Sequence, residues 1–339
     1  MGVRVPAFIL LKMTPLSRPC LEKAPEVYDD EYEQPQGPET INKTLEFIRE
    51  DRSAVEQNLA QLRDWIAKHP HIRLCRTDAR FLLRFLRARK HSFLSASQVL
   101  ERYLAARTIH PSWFQRLDIR DPELAHLTDI GFVYPLKERG PDGGLITLCD
   151  WGLIDPKRYT VDHSNRMHAL LAEAYSEDAL FQCAGVVAIF DMQHVQLAHH
   201  SIISLTVLRQ VAHYVNNAIP IRCKAIYAVN IPSGALWMVN GLLGFFNEKI
   251  RNRCQLFRDY DELAEKVDRS LLPKEYGGKE PKSEHIRAFR EQCERYRDRM
   301  LTLDEMEIDL DHNEPYSRHV MLDDIEGGAV GSFRKLELD

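Results

Sequence analysis

From Gly131 to Gly278 short apolar runs alternate with helical patterns, and this alternation leaves the chain few folds to choose from. Leu145 to Cys149, Gly185 to Asp191 and Lys224 to Asn230 are short β-prone runs bounded by turn residues such as Pro141-Asp142-Gly143-Gly144 and Pro232. Helical periodicity occupies roughly Val161 to Leu180 and Ile202 to Asn217 between them. Strands joined through helices need crossover connections, so the spacing predicts an α/β domain around a largely parallel sheet.

The stretch after the third run is unusual. Pro232 and Gly234 punctuate the chain before a helix predicted from Ala235 to Ile250. Placing residues 100° apart puts Leu236, Met238, Val239, Leu242, Leu243, Phe245, Phe246 and Ile250 on one half of it. An apolar half this wide suits a helix buried between the sheet and a second layer, which periodicity alone favours. It also suits a lid over apolar cargo. Two basic pairs bracket this helix. Arg222 and Lys224, two apart on a strand, are expected to share a side, as are Lys249 and Arg253, four apart on a helix. Each pair is either a solvated charged surface or a two-pronged grip on phosphate.

The 339 residues suffice for a large domain with a smaller companion, and 44% hydrophobic with 28% charged residues is ordinary for a globular protein. A net charge of −5 argues against bulk attraction to nucleic acid or anionic membrane, so any anion site is local. No apolar run reaches the ~20 residues that span a bilayer. Ala7 to Leu11 is too short for a secretory core, and Pro6 stands where a myristoylation motif needs Ser or Thr. Seven scattered cysteines form no CxxC pair or disulfide framework, which points to the reducing cytosol.

Residues 1–39 hold six prolines and the acidic Asp29-Asp30-Glu31, and are expected to form a mobile arm. Between 40 and 120, three short amphipathic helices follow, with Ser53 and Ser95 opening capping boxes and Thr77 a cap between them. In the second helix Phe81, Leu82, Phe85 and Leu86 are expected to face inward and Arg80, Arg84 and Arg87 outward. The α/β domain is expected over 121–280, and 281–339 as a long charged helix, from Ser283 to Met300, with an acidic tail.

Catalytic templates are missing: the sequence holds no GxGxxG, GxxxxGK[ST], GxSxG or HExxH. Cys293 and Arg299 satisfy a bare C-x5-R spacing, but they sit in a charged helical run rather than a phosphate-cradling loop. His194, His199 and His200 lack further ligands at metal spacing apart from Asp191, so no metal is expected. The chain reads as a binder, not an enzyme.

Three linked segments, Phe81 to Lys90 (FLLRFLRARK), Gly185 to Met192 (GVVAIFDM) and Ile219 to Gly278 with its IP, NIP and LPKEYGG motifs, resemble the CRAL-TRIO family. The resemblance runs in order over about Thr40 to Gly278 and is nearest to the branch of tocopherol-transfer, retinaldehyde-binding and clavesin proteins. It implies an N-terminal helical domain followed by an α/β lipid cage with a helical lid. It implies no enzymatic activity and no cofactor beyond one bound hydrophobic lipid. Arg222, Lys224, Lys249 and Arg253 match positions that grip a phosphoinositide headgroup in tocopherol-type members, and Arg89 matches a further basic position nearby. Leu236, Val239, Leu242, Leu243, Phe245 and Phe246 fall on the lid. Family topology and the apolar pattern place Val187, Ile189, Leu205 and Leu208 in the lipid pocket, although the pattern does not decide which face of the strand is which. One departure stands out: the family's D-x-x-G is Asp191-Met-Gln-His194 here. The function implied is intracellular lipid binding and transfer by a cytoplasmic protein that docks reversibly on endosomal or other phosphoinositide-rich membranes. The alternative is a phosphoinositide-dependent adaptor or sensor without net transfer.

Overall fold

The computed structural model describes residues 18–35 and 39–311, with His200 described by its backbone alone. The remainder of the expected arm and the acidic tail past residue 311 lie outside the described residues.

The N-terminal unit has four principal helices: α1 (Glu39–Ile48), α2 (Arg52–Lys68), α3 (Ala79–Ala88) and α4 (Phe93–Ile109), with strand β1 (Ile72–Leu74) between α2 and α3. The caps differ by one to three residues from the expected ones, and Ser95 lies inside α4, which starts after Ser92. The Asp51 carboxylate accepts from Ser53 N and Ala54 N, and Asp78 rather than Thr77 accepts from Phe81 N, because a carboxylate outcompetes a hydroxyl for these unpaired N–H groups. Residues 18–35, expected within a mobile arm, instead run along this unit. Cys75 N donates to Leu21 O and Ala79 N to Asp29 O, while Arg63 stacks on Tyr28 and pairs with Asp30.

The outward placement of Arg84 and Arg87 is overturned. Both are 1% exposed. Arg84 donates to Glu173 at 2.7 Å and Arg87 to Gln182 at 2.7 Å and to Glu50. Helical periodicity marks a polar face but does not say whether water or a second protein layer meets it. Here the second layer meets Arg84 with Glu173 and Arg87 with Gln182, while Glu50 of the N-terminal unit itself balances Arg87.

The chain then passes α5 (Pro111–Phe114) and α6 (Pro122–Asp129) into a five-stranded sheet. Its strands are β2 (Val133–Pro135), β3 (Leu145–Asp150), β4 (Val186–Asp191), β5 (Cys223–Val229) and β6 (Cys254–Phe257), in spatial order β2-β3-β4-β5-β6. Only β2 is antiparallel. The crossovers are α7 (Val161–Tyr175) with α8 (Ala179–Ala184), then α9 (Leu205–Asn217), then α10 (Leu236–Phe245) with α11 (Glu248–Arg251). The helix expected to reach Leu180 breaks because Asp178 caps a new start at Phe181 N, 2.6 Å away. Gly185 follows with φ +80, and a Cβ there would lie 2.1 Å from Arg222 O, so glycine lets β4 approach β5. After α12 (Tyr260–Leu263), α13 (Lys282–Thr302) packs on α7 and β2. Strand β7 (Glu307–Ile308) returns to β1, so Leu303 and Ile308 complete the core of the N-terminal unit.

Candidate functional site

His168 on α7 and Tyr214 on α9 lie deep within the protein, yet each keeps some accessible surface, which marks a void between the sheet and its crossover helices. On α7 the partly accessible residues Val161, Asn165, His168, Ala172 and Tyr175 recur at alternating four- and three-residue steps, one helix face. His168 lies beside Phe190 of β4, ring centroids 6.0 Å apart, so that face looks onto the sheet. The central strand β4 is hydrogen-bonded on both sides, yet Val186, Val187, Ala188 and Phe190 remain partly accessible.

Register decides which strand residues face this void. Ala188 pairs with Ile226 and Ile226 with Cys254, and paired residues share a face. Ile226 and Cys254 pack with Leu243, Phe246 and Ile250, so this is the face beneath α9, α10 and α11. Val187 and Ile189 therefore point to the opposite face, where Ile189's partner Tyr227 meets Phe257 edge-on at 5.2 Å. The sheet face beneath these helices carries Ala188, Phe190 and Ile226 instead. Leu205 and Leu208 pack against the lid instead: a Cβ on Gly241 would lie 3.6 Å from a methyl of each, and Leu205 is 57% exposed.

The expected sixteen-residue lid helix is two helices. Phe246 leaves helical geometry at ψ 142, and Asn247 starts α11 by accepting from Ile250 N at 2.9 Å. Asn216 of α9 holds the break, donating to Phe245 O at 3.1 Å and accepting from Asn247 N at 3.1 Å. Leu236 and Trp237 are more than 40% exposed, while Val239, Leu242, Leu243 and Phe245 are half-buried. Phe246, expected on the lid's apolar face, is 6% exposed and packs with Ala212 and Ile250.

The basic residues converge at the far end of the lid. Burial and then the charges of Arg89, Arg253, Lys90 and Arg222 lower the affinity of Lys249 for its proton, so five cations share one neighbourhood. They do not arrive as the spacing suggested. Val186 pairs with Cys223 but Val187 with Ala225, leaving Lys224 as the extra residue of a bulge. Lys224 turns to an ion pair with Asp142, whereas Arg222 donates to Cys183 O at 2.6 Å. Arg253 lies past the end of α11 and donates to Cys223 O, so it meets Lys249 through the turn, not along a helix face. Lys90 and Phe47 were not anticipated. Lys90, left-handed at φ 52, sits 3.4 Å from the Phe47 ring centroid, with the Arg222 guanidinium 5.0 Å from the same ring. Among the described residues no carboxylate pairs with Arg89, Lys90, Arg222, Lys249 or Arg253, in contrast to Lys224. The sequence signal for Phe47 was slight: an aromatic in the last turn of α1, between Leu45 and Ile48.

His194 is accommodated without disturbing the strand end. Buried Asp191 accepts from Gln193 N, Asn230 Nδ2 and the Tyr260 hydroxyl, each within 3.0 Å. A Cβ on Gly152 would fall 2.2 Å from His194 Cβ, so glycine at 152 makes the room. Cys293 is fully buried in α13, and burial pushes its thiol well up, the reverse of what a nucleophile needs. Two open surface pockets, one bordered by Arg116, Asp121 and Arg166 and the other by Arg258, Asp261 and Glu262, are polar corners away from the void. No helix among the described residues is long and apolar enough to cross a membrane.

Residues 131–278 match the CRAL/TRIO domain, and residues 51–124 the Pinta-like UBA domain. Curated relatives include Clavesin-1 of Xenopus laevis, 29% identical over 249 residues, spanning 72% of this chain and 74% of its own. Clavesin-2 of Homo sapiens is 29% identical over the same length, spanning 72% of this chain and 75% of its own. A solved structure, Sfh5, aligns over 74% of this chain and 92% of its own with a TM-score of 0.45 and 14% identity, too distant to bear on function. The matched domain, the mostly parallel sheet and the helical unit before it agree: residues 131–278 form a CRAL/TRIO domain, and the chain is similar to the clavesins over 249 residues.

Proposed function

We propose that this protein carries one small hydrophobic lipid in the void between sheet and lid, and docks reversibly on phosphoinositide-bearing membranes through the cation cluster. The observation that carries the docking half is the cluster itself. Buried arginines elsewhere in the molecule meet carboxylates, but among the described residues these five cations meet other cations, an aromatic ring and backbone carbonyls. Uncompensated like charges raise the free energy of the unliganded state, and a multivalent phosphate removes that cost. Each cation near a membrane surface adds on the order of 1 kcal/mol, enough together to offset the net charge of −5. The cargo half is supported by an internal surface that is largely apolar. Burying a lipid there yields about 25 cal/mol per Å² before the costs of association.

Lys90 and Lys249 are both exposed, so reversing them costs the fold little. Lys90→Glu with Lys249→Glu is expected to abolish the preference for liposomes holding phosphatidylinositol bisphosphate while cargo stays bound. Unchanged preference would place the docking site elsewhere. Transfer of cargo between vesicles separates a carrier from an adaptor that binds lipid without moving it.

A further inference from the structure

We propose that Asp142 sets the strength of the headgroup site by holding Lys224 out of it. This rests on the reading of the cation cluster as the phosphoinositide site.

Arg222 and Lys224 stand two residues apart at the start of β5, yet their side chains part company. The bulge at Lys224 is one cause. The other is a carboxylate, because the Lys224 ammonium pairs with Asp142. In the spatial order β3-β4-β5-β6, Asp142 precedes β3, whereas Lys249 and Arg253 precede β6 and Arg253 donates to Cys223 O of β5. The ion pair therefore draws Lys224 across the start of β4, away from the side of β5 where Lys249 and Arg253 stand. Two inter-strand spacings of about 4.8 Å take up a lysine's reach, so Lys224 cannot touch Asp142 and a phosphate on that far side together.

Asp142 is fixed in place to do this. It accepts from Gly144 N at 3.2 Å through Oδ1, which leaves Oδ2 for the ammonium. The turn closes on itself, Gly140 N donating to Gly144 O and Gly143 N to Gly140 O, both at 2.9 Å. Arg139 ties the turn down, donating to Gly143 O at 3.1 Å and to Asp178 at 3.0 Å. The Thr40 hydroxyl donates to Pro141 O at 3.0 Å, so the helix that carries Phe47 rests on the same turn. The stem of Lys224 lies along Gly144, where a Cβ would come within 3.3 Å of Lys224 Cδ. Exposed ion pairs are usually weak because two long side chains must be ordered to make them. Here the carboxylate and the lysine stem are ordered already.

The consequence is electrostatic. The pair carries no net charge, so a polyphosphate headgroup meets the five clustered cations without a further one from Lys224. One more cation close to an anionic surface is worth about fivefold in affinity. Asp142 withholds that factor, which keeps docking weak enough to reverse.

The test is co-sedimentation of the full chain with phosphatidylcholine vesicles, with and without phosphatidylinositol bisphosphate, and thermal unfolding is recorded for every variant. Asp142→Asn keeps the acceptor for Gly144 N but loses the charge, and is expected to bind the phosphoinositide vesicles about fivefold more tightly than wild type. Asp142→Asn combined with Lys224→Ala deletes the neutral pair whole, and is expected to return to within about twofold of wild type. Asp64→Asn makes the same change in net charge by breaking an exposed pair with Lys68 on α2, and is expected to leave binding within about twofold. Should Asp142→Asn unfold, Asp142→Ser takes its place, since its hydroxyl also accepts from Gly144 N. Three results overturn the inference and leave phosphoinositide docking standing: Asp142→Asn no tighter than wild type, Asp64→Asn as tight as Asp142→Asn, or a severalfold loss in the double variant, which would put Lys224 in the site already. Wild type with no preference for the phosphoinositide vesicles overturns the docking reading itself and this inference with it.

Discussion

Glu177→Gln tests how the N-terminal helices are fastened to the lipid-binding domain. Glu177 accepts from Arg76 at 2.6 Å, Arg84 at 3.3 Å and Arg299 at 3.2 Å, and its side chain is 2% exposed. With Asp78 and Glu173 it balances three guanidiniums with three carboxylates, drawn from α3, α7, α13 and the turns beside them. The amide keeps the shape but removes one charge, leaving a net positive charge in the interior. Breaking a buried pair costs about 3–5 kcal/mol, and because each arginine retains another carboxylate the lower end applies here. At about 2–4 °C per kcal/mol, the midpoint of thermal unfolding is expected to fall by roughly 6–12 °C at pH 7. A pH series sharpens the test. Burial alone would raise the Asp78 carboxyl, but Arg76 and Arg299 outweigh it and hold it at about 2 against an ordinary 3.8; Glu177 is likewise lowered. Carboxyls lowered on folding contribute stability that is present above their unfolded values and lost as pH falls through the folded ones. For Asp78 that is on the order of 2 kcal/mol, lost between roughly pH 4 and 2. The gap between wild type and Glu177→Gln should therefore narrow on acidification. A midpoint change under about 2 °C, or a gap that ignores pH, would refute the reasoning.

The lid offers a paired contrast: Phe246→Ala is expected to cost about 3 kcal/mol of stability, because that ring fills the α9–α11 seam, while exposed Trp237→Ala leaves the thermal midpoint within about 2 °C and weakens vesicle binding. Equal thermal effects would mean the lid has no free apolar face. Asn216→Ala strips partners from Phe245 O and Asn247 N, so hydrogen exchange at residues 246–247 is expected to quicken by about tenfold, and cargo release with it. Protection that is unchanged would show that another group holds the break. At the cation cluster, Phe47→Trp is expected to preserve phosphoinositide binding and Phe47→Leu to weaken it severalfold in liposome co-sedimentation, since only an aromatic face holds Lys90 and Arg222 together. If leucine serves as well as tryptophan, the ring acts as a bilayer anchor and not as a cation platform.

Local pattern carried much of this protein. Strands at Leu145–Asp150, Val186–Asp191 and Cys223–Val229, joined by helices, were legible because hydrophobic periodicity and turn residues act over a few positions, and crossover chirality then leaves one kind of sheet. Arg222, Lys249, Arg253 and Arg89 were assigned to one site from the family resemblance and not from local pattern, and the fold brings them together. Tertiary structure decided the rest, wherever direction or partner mattered. A bulge at Lys224 turned it toward Asp142, and register sent Val187 and Ile189 to the sheet face opposite Ala188 and Phe190. Strand β6 is only four residues long and gains its identity from pairing with β5. Arg84 and Arg87 read as solvent-facing until Glu173 and Gln182, almost a hundred residues downstream, met them in the core. A sequence records how often polar and apolar residues recur; which layer each face meets is settled only when distant segments pack, because burial and charge pairing are properties of the contact and not of the residue.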